Sequence, residues 1–405
     1  MELAEVPAIL ILIGITAYAV LAGADFGAPI WAITASGEES ERLKESGHRS
    51  MAPVWEANHV WLIFVLVICW TAYPDVFGAI FSTLWIPLIL ACIGIIMRAV
   101  GYVAGGVSIS RTFTWLAAVA SLLVPFALGT VIGAIVDGRV PPGNAQGDVI
   151  TSWLAPLPLT IGLLLVLSSI YLAAVYLAAD ADRRGEKDLA AAFRVRGMIA
   201  GVVAGVAAAA GLVVLHAEAP AFFHRMFSED GSDTELARLC VYASALAGTA
   251  TLWLLATRRY FPARFAAAAA VAFIVGGWGL AQGPEVRPGL AIEEAAASNE
   301  VIIGLLIAVA LGLILLVPSL YLLYSLVLEG RFDPLNVPAA DATEAVTDLQ
   351  PAGRLALWLV MVAAGVGGLM LFVSDPGFTL YLGLALFLGG LVAGVIYLAR
   401  SLVRD

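Results

Sequence analysis

Three ionisable residues stand inside or at the edge of long apolar segments, where a charge is costly and usually faces protein or water. Asp25 lies deep in the first segment, within Leu-Ala-Gly-Ala-Asp-Phe-Gly. Glu56 opens the second segment, within Pro-Val-Trp-Glu-Ala-Asn-His-Val-Trp, and Arg98 lies late in the third. Groups of this kind in lipid pair with one another, carry protons or line an ion path.

The three residues are expected at one depth. If the first segment enters the membrane near Val6 and runs inward, Asp25 lies roughly 28 Å along it, close to the cytoplasmic end. The third segment enters near Phe77, so Arg98 is about as far along, and the second segment starts on the cytoplasmic side at Glu56. The sequence therefore predicts that Asp25, Glu56 and Arg98 share the cytoplasmic half of one three-helix unit.

Two roles are compatible with this placement. Arg98 can neutralise one or both acids in an ion pair that holds the helices together. Alternatively the two carboxylates, with His59 one helical turn from Glu56, form a proton relay that takes up protons from the cytoplasm. Both hold if Arg98 pairs with one acid and leaves the other free to titrate. A single histidine among aromatic residues is more often packing than a ligand, and Trp55 and Trp61 fit an interfacial aromatic belt.

The elements that position these residues are membrane-spanning helices. The chain has 405 residues, of which 61% are hydrophobic and 13% charged, and its apolar residues fall in blocks long enough to cross a bilayer. Backbone groups in lipid must bond within their own segment, so each block is predicted as a helix. The predicted spans are roughly 6–34, 57–74, 77–104, 112–136, 153–179, 195–217, 236–257, 260–281, 300–328, 355–373 and 378–399.

The orientation follows from the basic residues of the loops. With the amino terminus outside, 17 of the 21 Lys and Arg residues fall on the cytoplasmic side and 4 on the opposite side. The carboxyl terminus is then cytoplasmic, in a multi-pass protein of the cytoplasmic membrane.

Several site classes find no support in the sequence. The four histidines (His48, His59, His216 and His224) show no spacing typical of haem ligands, and the three cysteines form no CxxC pair. No P-loop, Rossmann glycine pattern or HExxH motif is present, and nothing indicates nucleic-acid binding. The chain is not expected to carry out redox or hydrolytic chemistry alone or to hold a metal.

Two motifs resemble subunit II of cytochrome bd-type quinol oxidases. They are Tyr18-Ala-Val-Leu-Ala-Gly-Ala-Asp-Phe-Gly27 and Pro53-Val-Trp-Glu-Ala-Asn-His-Val-Trp-Leu-Ile63. The segments Trp70-Thr-Ala-Tyr-Pro74 and Arg98-Ala-Val-Gly-Tyr102 are also similar to that family. The resemblance covers about residues 1–330.

The resemblance implies an all-α fold with nine transmembrane helices built around two four-helix bundles. It also implies a haem-bearing partner, subunit I, with b- and d-type haems, in a heterodimer that accessory membrane subunits sometimes join. The complex oxidises quinol and reduces oxygen to water in the respiratory chain, with protons taken from the cytoplasm. The acids matching Asp25 and Glu56 are implicated in that proton path, with His59 nearby and Arg98, Trp55, Asn58 and Trp61 in supporting positions.

The sequence departs from the family pattern in four places. Ala22 stands where a second acid is frequent, Glu56 replaces the more usual Asp, and His59 replaces an acid or amide. The last two predicted spans extend beyond nine helices. We therefore expect three regions: an oxidase-like membrane domain at 1–330, a polar linker at 331–354, and an extra transmembrane hairpin with a short tail at 355–405.

Two other functions remain open at this point. A proton-coupled secondary transporter also needs buried acids, although the later spans repeat no counterpart of Asp25, Glu56 and Arg98. A purely structural anchor subunit would need no proton path.

Overall fold

The structure is a computed structural model. It describes residues 2–329, except 35–36, 52–53, 105–110, 144, 228–231, 284 and 288, and beyond them only residues 382, 385, 386 and 389. The described residues are nearly all helical. The helices are α1 Glu5–Ile33, α2 Gly37–Met51, α3 Trp55–Ala72, α4 Pro74–Thr83, α5 Trp85–Ala104, α6 Arg111–Val136, α7 Pro156–Arg183, α8 Lys187–Glu218, α9 Pro220–Phe227, α10 Ser232–Ala256, α11 Tyr260–Gln282, α12 Ile292–Ala295 and α13 Asn299–Leu328.

The all-α membrane fold is confirmed. Eight helices in the described part of the chain are long and apolar enough to cross a membrane, and a ninth span results if α4 and α5 count as one. These spans correspond to the first nine predicted from the sequence. The predicted spans 355–373 and 378–399 and the linker 331–354 lie outside the residues described in continuous stretches, so the extra hairpin stays a prediction.

The third predicted span is broken. α4 and α5 meet at Leu84 with a bend of 84° instead of forming one continuous helix. Pro87 has no N–H to bond the Thr83 carbonyl four residues earlier, so the helical hydrogen-bond ladder ends there. The loop after α6 covers the break, because the Gly147 N–H donates to Thr83 Oγ1 at 2.9 Å. The prediction of one continuous helix over 77–104 was therefore wrong.

Several other boundaries differ from the prediction. The polar segment between the first two predicted spans contains an amphipathic helix, α2, which the hydropathy pattern does not predict. α8 begins at Lys187 rather than near residue 195, because charged residues extend the helix beyond its apolar part. A short helix, α9, follows α8, and a small antiparallel hairpin made of β1 Glu285–Arg287 and β2 Leu290–Ala291 lies between α11 and the short helix α12.

The helices pack in two groups. α7, α8, α10 and α11 form a closed ring of four, each in contact with the next. α1 packs against α3, α6 and α7, while α5 packs against α6. Glycines allow the closest approaches: Gly129 and Gly133, four residues apart on α6, lie against Gly162 and Pro158 of α7. Small residues at this spacing let backbones of membrane helices touch.

Ion pairs join the loops at one end of this group. Arg49 of α2 pairs with Glu186 at 3.1 Å, and Arg264 of α11 pairs with Asp180 of α7 at 2.6 Å. Arg184 also donates to Ser46 of α2 at 2.9 Å. Three of the basic loops that the charge count assigned to the cytoplasm therefore lie together.

The chain divides into two compact units, Met1–Ala308 and Val309–Asp405. The candidate site lies entirely within the first unit. The longest described stretch of the second unit is the remainder of α13, which continues through Pro318 without ending there.

Candidate functional site: a buried ion pair beside an exposed carboxylate

Asp25 and Arg98 form a buried ion pair between α1 and α5. Their side chains are 0% and 2% exposed, so neither charge is solvated. Arg98 Nε donates to Asp25 Oδ2 at 3.3 Å, and Nη2 donates to both Asp25 Oδ1 and the Asp25 backbone oxygen. The remaining nitrogen, Nη1, donates to Ser121 Oγ of α6. This guanidinium thereby holds three helices together.

Close packing of α1 keeps this pair away from water. A Cβ atom built on Gly27 would lie 2.0 Å from the Ser169 backbone oxygen, so α1 and α7 are in backbone contact at this level. On the side facing α6, Ala22 and Phe26 of α1 pack with Val124. The Arg98 guanidinium lies 5.3 Å from the centre of the Phe26 ring, a cation–π distance. Both acid and base are therefore enclosed by apolar and aromatic side chains.

The beginning of α3 is fastened to α1 beside the pair. Asn58 is 1% exposed, and its Nδ2 donates to the Leu21 carbonyl at 3.3 Å. His59 Nδ1 lies 2.8 Å from the Trp55 carbonyl, one turn earlier on α3. The His59 ring is edge-on to Tyr18, Phe26 and Trp55, with ring centres 6.0 to 6.2 Å apart. Trp61 lies further along α3, edge-on to Phe64.

Glu56 does not join the ion pair. Its side chain is exposed, and the described residues include no cation within ion-pair distance of it. Glu56 nevertheless lies at a depth similar to that of the pair. His59 is one turn further along α3, and its ring contacts that of Phe26, the residue next to Asp25. Of the three charged residues singled out in the sequence, the structure brings Asp25 and Arg98 together and leaves Glu56 on the surface of α3.

Two residues of the site were not identified from the sequence. Ser121 accepts a hydrogen bond from Arg98, but a single serine in an apolar helix gives no sign of its partner. Tyr18 contacts His59 and Phe26 through its ring. Its spacing of seven residues from Asp25, which places both on one face of α1, was the available signal.

Histidines are common metal and haem ligands, and two of the four lie near each other outside this site. Within the described ranges, no three His, Cys, Asp or Glu side chains are arranged to hold a metal ion. His216 of α8 and His224 of α9 have ring centres 6.4 Å apart, a proximity that the sequence analysis did not foresee. Both side chains are exposed, and neither lies in the site around Asp25.

Comparison with known proteins gives concordant results. The sequence model of the family described as "Cytochrome bd terminal oxidase subunit II" matches residues 3–327. A Bacillus subtilis (strain 168) protein named "Putative cytochrome bd menaquinol oxidase subunit II" is 22% identical over 215 residues, which are 52% of this chain and 62% of that protein. The match thus spans less than two thirds of that relative.

A solved structure shares the fold. The chain is similar to one in the structure of bd oxidase from Geobacillus thermodenitrificans, with a TM-score of 0.61 and 24% identity over 80% of this chain and 98% of that chain. The family match covers most of the sequence, including the Asp25 and Glu56 motifs and Arg98. This chain belongs to the cytochrome bd terminal oxidase subunit II family.

Proposed function

We propose that this chain is the haem-free subunit of a bd-type quinol oxidase and lines a proton path from the cytoplasm. It pairs with a haem-bearing subunit I, and the complex oxidises quinol and reduces oxygen to water. The similar proteins are named as parts of bd oxidases, which supports membership in such a complex. The geometry around Arg98 supports the proton path. The amino terminus lies outside and the carboxyl terminus in the cytoplasm, in accord with the charge count.

The supporting observation is that the carboxylates of Asp25 and Glu56 have different surroundings. Arg98 bonds both carboxylate oxygens of Asp25, so a proton arriving there would break the pair and leave a buried guanidinium uncompensated. Glu56 has no such partner among the described residues and its side chain is exposed, so a proton on it breaks no ion pair and disturbs no helix packing there. Among the three proton-path candidates, Asp25 therefore serves as the fixed anion of the ion pair, while Glu56 and His59 are placed to exchange protons.

His59 does not offer a haem site. Its Nδ1 is engaged by the Trp55 carbonyl, and its Nε2 is buried in contact with the aromatic rings that enclose it. A haem plane at Nε2 would need the space that these side chains occupy. We therefore place the b- and d-type haems in subunit I, where they supply the electron transfer and oxygen chemistry, while this chain supplies packing and protons.

The test is Glu56→Gln in the assembled oxidase. The carboxamide keeps the size and hydrogen bonding of the side chain but removes the transferable proton. We expect oxygen consumption per haem to fall roughly a hundredfold or more, as for loss of a general acid–base group. The haem spectrum and the KM for quinol should stay at the parent values.

The matched control is Asp75→Asn, which removes an exposed acid at the start of α4. This variant should turn over at the parent rate. If Glu56→Gln does so too with full haem content, the chain has a purely structural role. If Glu56→Gln loses haem in proportion to activity, Glu56 acts in assembly and the proton path is wrong.

A further inference from the structure

Two buried polar atoms, one on α1 and one on α3, belong to neighbouring rings and have no hydrogen-bond partner among the described residues. They are the Tyr18 hydroxyl oxygen and His59 Nε2, and within the part of the chain that the structure describes neither has one. Buried polar groups are rarely left unpaired, and ordered water commonly supplies the missing bond. These two atoms belong to rings whose centres are 6.1 Å apart, edge to face.

Their hydrogen-bonding capacities are complementary. The Trp55 carbonyl can only accept, so His59 Nδ1, 2.8 Å away, must carry the proton. In the neutral imidazole, Nε2 is then an acceptor, whereas the Tyr18 hydroxyl has a proton to donate. A water between them accepts from Tyr18 and donates to His59, which satisfies both groups at once.

We propose that one internal water bridges Tyr18 and His59, and that this bridge is the inner segment of the proton path beginning at Glu56. This inference rests on the proposed function. Glu56 and His59 are three residues apart on α3 and so lie on adjacent turns of one face. Tyr18 precedes Asp25 by seven residues on α1, about 10 Å further from the cytoplasmic end. The order Glu56, His59, Tyr18 therefore leads into the membrane and passes beside the Asp25–Arg98 pair instead of through it.

Each transfer conserves charge and atoms. The Glu56 carboxyl gives a proton to the bridging water, which passes one of its own protons to His59 Nε2, and the imidazolium keeps its Nδ1–H bond to the Trp55 carbonyl. The Nε2 proton then passes to the bridging water, which gives one of its own protons to the Tyr18 oxygen. Tyr18 gives its original hydroxyl proton to a second water on its inner side, and Glu56 regains a proton from the cytoplasm. All groups return to their starting forms once the hydrogen bonds reverse. Because the same nitrogen receives and returns the proton, the imidazole ring need not flip.

The first test is Tyr18→Phe in the assembled oxidase, which removes the hydroxyl and keeps the ring. Turnover per haem should fall roughly a hundredfold, at the low end of general acid–base effects, with a larger solvent deuterium isotope effect. The KM for quinol should not change. The control is Tyr73→Phe: Tyr73 is another buried tyrosine, and its hydroxyl donates to the Ala4 carbonyl at 2.6 Å, at the other end of α3. Its removal should leave the isotope effect at the parent value.

The second test observes the water directly by high-resolution cryo-electron microscopy of the parent complex. Density within hydrogen-bond distance of both Tyr18 Oη and His59 Nε2 is expected. Absence of that density overturns the bridge, even if Tyr18→Phe fails to assemble. If Glu56→Gln slows turnover while Tyr18→Phe has the parent rate and isotope effect, the proposed function stands and this inner segment is wrong.

Discussion

Replacement of Asp25 by Asn should destabilise the assembled complex more than any other carboxamide substitution considered above. The variant leaves the Arg98 guanidinium 2% exposed and without its counter-ion. Arginine cannot lose its proton in a protein, so the charge stays buried. Removing one partner of a buried pair costs about 3–5 kcal/mol. We expect a loss of that size in the free energy of unfolding.

Replacement of Arg98 by Met should destabilise the complex by a comparable amount, although the charge that it leaves behind can be neutralised. A carboxyl group left alone can bind a proton and become neutral, whereas a guanidinium cannot. The Ser121 hydroxyl and the Asp25 carboxyl lose their donor, and each unsatisfied buried group costs about 1–3 kcal/mol. The double variant removes both charges, so its loss should fall short of the sum of the single losses by about 1–3 kcal/mol.

The free energies can be compared by SDS titration of the purified complex, with helicity followed by circular dichroism and haem absorbance as a second probe. Glu41→Gln is a suitable control, since Glu41 forms an exposed pair with Lys44 at 3.6 Å and its loss should cost less than about 1 kcal/mol. Unfolding of Asp25→Asn at the parent SDS fraction would refute the reasoning. So would strict additivity in the double variant, because the two charges would then not interact.

Three further outcomes are expected. A reporter that is active only in the cytoplasm should be active when fused after Asp405 and silent at Asp230; the reverse pattern would overturn the orientation. In a double cysteine variant of Ala28 and Gly47, a disulfide should form on oxidation and shift the mobility in a non-reducing gel, because a Cβ on Gly47 would lie 3.6 Å from that of Ala28, within disulfide range. Truncation after Pro338 should leave haem content and most oxygen consumption intact, and loss of the complex would show that the C-terminal hairpin is needed for assembly.

Hydropathy was sufficient to predict nine of the spans, since a lipid-crossing helix must be long and continuously apolar. It failed where charge and backbone geometry decide the structure. The start of α8 at Lys187 could not be found from hydropathy, because a helix extends into water when its polar residues have good helix propensity. Pro87 is one sequence feature that could have indicated the break at Leu84. A proline close to a helix start, however, is compatible with either a continuous or a broken span.

Part of the candidate site was predictable as well. Depth along the helices placed Asp25, Glu56 and Arg98 at one level of the membrane. Charged residues inside a membrane usually pair with one another, so an ion pair was expected among them. The choice of Asp25 as the partner of Arg98 depends on rotation about the helix axes, which depth alone does not specify. The contact of Tyr18 with His59 depends on the approach of α1 to α3, which the buried bond from Asn58 to the Leu21 carbonyl holds in place.

The assignment of roles to the two acids follows from one cation and two environments. The Arg98 guanidinium directs Nε and Nη2 to Asp25 and Nη1 to Ser121, and among the described residues no ion pair joins it to Glu56, so this arrangement pairs one acid and excludes the other. The excluded acid, Glu56, stands on the exposed face of α3 that continues with Val60 and Ile63. On that face, a change in the protonation state of Glu56 breaks no ion pair among the described residues. Asp25→Asn should therefore act first on stability and Glu56→Gln first on turnover, a difference that depth in the membrane alone would not predict.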